Sequence, residues 1–162
     1  MRVGVVMWSL RVAVALTLAS TFPASAATDV VFSGTVANTC TLAVPTPGLL
    51  GLSVDGKTLG SEETGGLAAT VTVVSLGGNT ITVGAPALVT FPGTFTPGSE
   101  TISVKYQGTS GLSGVSQAYT TAQTSFAVGI LPITNLTVDL KVVNNAGYAQ
   151  GSYTAKTVLT CS

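Results

Sequence analysis

From Leu136 to Val142 the chain alternates strictly. Leu136, Val138, Leu140 and Val142 are apolar, while Thr137, Asp139 and Lys141 between them are hydrophilic. A period of two sends successive side chains to opposite faces, so this segment predicts a strand with one buried and one wet face. Ile102, Val104 and Tyr106 alternate with Thr101, Ser103 and Lys105 in the same way, Val71 and Val73 with Thr70 and Thr72, and Ile81 and Val83 with Thr80 and Thr82. Noisier alternation marks Val30–Val36, Cys40–Val44, Ala87–Phe91, Phe126–Ile130 and Tyr153–Cys161 as further strands. No window carries the 3.6-residue spacing of an amphipathic helix. The best place for a helical turn is Gln117–Gln123, where β-branched threonines lower the propensity.

Turn residues fall between the runs: Pro45-Thr-Pro47-Gly48, Asp55-Gly56, Gly65-Gly66, Gly77-Gly78-Asn79, Pro92-Gly93, Pro97-Gly98 and Asn144-Asn145-Ala-Gly147. Short strands punctuated in this rhythm imply one all-β domain, a single antiparallel β-sandwich. Gly108–Ser116 is rich in Gly and Ser and reads as a loop.

The pattern changes at the N-terminus. Arg2 and Arg11 precede the apolar run Val12-Ala-Val-Ala-Leu-Thr-Leu-Ala19, which ends in Pro23-Ala-Ser-Ala26. A basic start, a short apolar stretch and an Ala-x-Ala end describe a secretory signal peptide over 1–26, leaving 27–162 as the β-sandwich domain. Cleavage after Ala26 or Ala27 fits equally small residues. The run is short and interrupted for a membrane span, and no later segment is long and apolar enough to be one. The expected location is the periplasm, the cell surface or the extracellular space.

Charge and composition narrow the chemistry. The 162 residues are 46% hydrophobic and 7% charged, with six basic and six acidic side chains and no histidine. Without histidine, a Ser-His-Asp relay, a Cys-His pair and a histidine zinc site are impossible. Beyond the leader, Lys57, Lys105, Lys141 and Lys156 face Asp29, Asp55, Glu62, Glu63, Glu100 and Asp139, which offers no basic footprint for nucleic acid. Glu62-Glu63 is the one adjacent acidic pair and reads as decoration of an exposed loop beside Gly65-Gly66. Asp55-Gly56 reads as a turn, and no spacing matches a calcium loop. The expectation is no catalytic residue, no metal, no cofactor and no enzymatic activity.

Cys40 and Cys161 are the only cysteines. In an oxidising compartment two cysteines pair where geometry allows. Closing so long a loop stabilises by roughly 4–5 kcal/mol on the chain-entropy argument. Two free thiols or a bridge between chains are the alternatives.

The segment Val31-Phe-Ser-Gly-Thr-Val-Ala-Asn-Thr-Cys40 resembles the start of chaperone–usher fimbrial subunits (pilins), through Phe32, Gly34, Val36, Asn38 and Cys40. Gly151-Ser-Tyr153, followed by Thr-Ala155-Lys-Thr-Val-Leu159, resembles the final pilin strand. Spore-coat-U-like secreted proteins share both features. The resemblance implies an immunoglobulin-like, pilin-like sandwich and a bacterial structural or assembly subunit at the cell surface. Its partners would be itself or other surface subunits and a periplasmic chaperone.

Two departures count against polymerisation by strand donation. The family's first cysteine pairs with one about 40 residues later, which this chain lacks. Only Ala27-Thr-Asp-Val-Val31 precedes Phe32, little for a strand donated to a neighbour. The expected subunit is therefore a closed domain. The alternative is a secreted carbohydrate-binding module, for which Tyr106, Tyr119, Tyr148 and Tyr153 are the available platforms, Tyr106 and Tyr153 lying on core faces.

Overall fold

The computed structural model describes residues 31–35, 39–128 and 133–162. The expected leader and its cleavage point lie outside these residues, as do Val36 and Asn38. Val31–Thr35 is described and carries no strand, contrary to the alternation over Val30–Val36.

Every regular element described is a strand, and every pairing is antiparallel: β1 (Thr39–Thr46), β2 (Gly51–Leu52), β3 (Thr58–Gly60), β4 (Ala69–Leu76), β5 (Thr80–Val83), β6 (Ala87–Thr90), β7 (Thr101–Ser110), β8 (Ser113–Thr120), β9 (Thr124–Ala127), β10 (Ile133–Val143), β11 (Thr154–Lys156) and β12 (Leu159–Cys161). In the larger sheet β10 is central. One of its edges is shared by β4, over Ile133–Val138, and β3, over Lys141–Val143, while the other pairs with β7 over Thr134–Val143. β1 closes the sheet beyond β4, and β8 closes it beyond β7.

The second layer is two short ladders laid end to end. β12–β5–β9 and β11–β6 are separate pairings, but the Gly84 amide donates to the Val158 carbonyl (2.8 Å) and the Thr157 hydroxyl to the Gly84 carbonyl (2.6 Å). These bonds carry Tyr153–Cys161 alongside Thr80–Thr90; alternation predicts strand at these segments but not that they are partners.

The layers meet on their apolar faces. Val71 and Val73 of β4, Val104 and Tyr106 of β7, and Leu136 and Val138 of β10 pack against Ile81 and Val83 of β5 and against Val128. Val73, Ile81, Val83 and Val104 are fully buried. The all-β antiparallel sandwich read from the sequence is therefore the observed architecture.

Two further segments differ from expectation. Gly108–Ser116 is the end of β7, a turn at Gly111–Leu112 and the start of β8, not a loop. A Cβ at Gly108 would collide with the Asn135 carbonyl, so the glycine is there for close strand approach on β10 rather than for mobility. Gln117–Thr120 is likewise strand rather than helical turn, because pairing with β7 overrides weak local preference. β8 gains one residue on β7 between Tyr106↔Gln117 and Val104↔Thr120, a bulge that leaves Ala118 and Tyr119 opposite Lys105.

Candidate functional site

Cys40 and Cys161 are disulfide-bonded, with Cα atoms 6.3 Å apart. β1 edges the larger sheet and β12 edges the smaller, so the bridge joins the two layers of the sandwich. Beside it, buried Asn79 donates to the Ser75 hydroxyl (2.7 Å) and to the Thr39 carbonyl (3.2 Å), tying the β4–β5 turn to the start of β1.

Away from the bridge, the seam between these edges opens into an apolar cleft of about 190 Å³. Val71, Val138, Leu140 and Leu159 line it together with Val44, Leu49 and Leu67, the last three of which are 59%, 56% and 46% exposed. β1 shifts register on β4 between Ala43 and Thr46, the stretch that holds Pro45. Among the described residues β1 and β12 each pair on one side only.

Of the residues singled out by resemblance, Phe32 is 91% exposed and Gly34 lies in open space. Gly151, at φ +153°, sits where a Cβ would press on the Pro92 ring. Tyr153 belongs to an aromatic group with Phe91, Phe95 and Tyr148. Its ring meets Phe95 edge-on at 5.3 Å and Tyr148 at 5.1 Å, and its hydroxyl donates to the Ala149 carbonyl (3.0 Å). Phe95 and Tyr148 also border a shallow basin between the Thr94–Ser99 and Asn144–Ala149 loops. Burial, with the field of Glu100 second, pushes the Tyr148 hydroxyl up to about 12.

The outer face of the larger sheet holds a polar network that sequence reading missed. Lys105 donates to Glu62 (2.6 Å) and lies 3.5 Å from Asp139, and the Tyr119 hydroxyl donates to the other oxygen of Glu62 (2.7 Å). The Ser61 hydroxyl donates to Asp139 (2.8 Å) and accepts from the Leu140 amide (3.2 Å). The Lys141 ammonium stands 4.2 Å from the centre of the Tyr119 ring. Glu62 is thus a clasp, not decoration: with Ser61 it fastens the turn after β3 onto the sheet, leaving Asp139 buried on a face that alternation marks as wet. The bulge in β8 is what presents Tyr119 to this network.

The hydrogen bond from Lys105, then that from Tyr119, holds the Glu62 carboxyl below its ordinary value, and the same ion pair raises Lys105. Burial first, and the bond to Glu62 second, push the Tyr119 hydroxyl well above the usual range. These shifts suit an interlocked structural cluster: carboxylate and ammonium stay charged and the phenol stays neutral across ordinary pH. No three His, Cys, Asp or Glu side chains gather at metal-binding distance among the described residues. No helix among them is long and apolar enough to cross a membrane.

No family model, curated protein or solved structure matches the chain.

Proposed function

We propose that this chain is an exported, non-enzymatic structural or assembly subunit of pilin-like type, closed on itself and joined to its partners through side-chain contacts. The observation that carries the reading is the seam: an apolar cleft between two half-paired edge strands, pinned at one end by a disulfide. A surface exposing several large apolar side chains around a recess is suited to docking. The cleft's size favours a closed domain over one awaiting a whole strand. About 190 Å³ is close to the space that holds one benzene ring in an engineered core, enough for one or two side chains of a partner.

Carbohydrate binding is the second reading, and the basin at Phe95 and Tyr148 is where it would act. Phe95 is only 7% exposed, and the Tyr148 ring is stacked on it at 5.7 Å, so these rings are largely engaged with each other. That arrangement favours packing over a sugar platform.

The test is to change the rim without touching the core. Val44→Asp and Leu49→Asp alter exposed positions, so the thermal midpoint should move little. The fraction of exported chain held in surface-bound material should fall in both variants. Unchanged retention with the fold intact would remove the seam from the account.

A further inference from the structure

The seam occupies one side of the larger sheet; the opposite side ends in β8. Ser113-Gly-Val-Ser-Gln-Ala-Tyr-Thr120 contains no charge and no proline, and among the described residues nothing pairs with its outer edge. Edge strands are ordinarily guarded by inward-pointing charge, by proline or by extreme shortness. β1 carries Pro45 and the disulfide, while β2, β6, β9, β11 and β12 have four residues or fewer. β8 has only its bulge at Ala118–Tyr119, which leaves Ser113–Gln117 in regular register with Tyr106–Ser110.

This stretch is also firmly held. β7 pairs with it on one side and with Thr134–Val143 of β10 on the other, and Val115 packs against the core. The edge is therefore offered by a rigid sheet, so little ordering would be lost on pairing.

We propose that Ser113–Gln117 is a homotypic docking edge, pairing antiparallel with the same strand of a second copy to extend the sheet across a two-fold axis. Charge decides for a second copy. An edge bearing charges selects a partner of opposite pattern, and self-pairing would set like charges against each other. A neutral strand meets its own image without repulsion, and Gly114, Ser116 and Ala118 add no bulk between the copies. Such pairing uses both edges up and closes as a dimer, so it neither competes with the seam nor propagates alone. Five residues of ladder make a small interface, below the size of stable complexes, so association should be weak, in the range of about 0.1–1 mM.

Sedimentation velocity on the leader-free, disulfide-bonded chain, from 10 µM to 1 mM (about two decades in concentration), tests this. The expected result is a reversible monomer–dimer equilibrium. Ser116→Lys changes an exposed side chain and places two lysines near each other across the axis, so it should weaken the dimer at least about fivefold. Thr72→Lys, on the outer face away from this edge, should leave it unchanged, and circular dichroism should show both variants folded. A chain monomeric throughout the range overturns the proposal. So does a dimer that Ser116→Lys leaves intact, which would place self-association elsewhere.

Discussion

Cys161 shows how much one residue near the chain end can govern. Its bond to Cys40 spans 121 residues and is the covalent link between the two sheets. Cys161→Ala should lower unfolding free energy by about 2–5 kcal/mol, the usual cost of losing a native disulfide from a small secreted domain. Denaturant unfolding of the oxidised wild type beside the variant measures it; equal midpoints would mean the bridge contributes nothing. Glu62 acts through charge instead. Its carboxyl sits below the ordinary 4.5, so the folded chain binds that proton less tightly than the unfolded chain does. The stability it contributes is complete above about pH 4.5 and is lost as pH falls through the lowered folded value. The thermal midpoints of wild type and Glu62→Gln should differ modestly at pH 7, the group being largely exposed, and converge as pH falls through the lowered folded value. A constant gap between the two would contradict the clasp.

At the scale of elements, strands with one apolar face were legible and strands defined by their neighbours were not. β4, β5, β7 and β10 announce themselves because Val, Ile and Leu recur every second residue, and most of those residues became the core, with Ile102 and Leu140 left half-buried. β8 has one such residue packed, half-buried, against the core, Val115, amid Gly, Ser and Gln. Its strand character comes from the β7 ladder, which no local pattern records. The disulfide was legible as one of three possibilities, because only two cysteines exist; the opposition of the two sheets across it was not. The Glu62 clasp was illegible for a similar reason, since Lys105 and Tyr119 lie 43 and 57 residues away and meet it only once β7 and β8 are paired. Gly108 makes the strand account measurable. Gly108→Ala should destabilise by more than the ~1 kcal/mol typical of point substitutions, because the added methyl meets the Asn135 carbonyl. Gly114→Ala, with open space at its Cβ, should cost far less. Similar effects at both would mean the hairpin does not approach β10 as described.

For the whole molecule, the sandwich, its inter-sheet staple and its apolar seam are what support the proposal of a domain that stands alone and meets partners at its surface. A polymer built by strand donation would instead require each copy to fill the seam of the next with an extended segment. The two arrangements separate in one measurement. Exported protein, taken up in detergent without reduction and run on a gel with and without heating, should give a single monomer band in both lanes, since side-chain docking and weak edge pairing do not survive detergent. A heat-labile ladder of multimers, abolished by deleting Ala27 to Phe32, would contradict the closed domain and make this chain a strand-donating subunit.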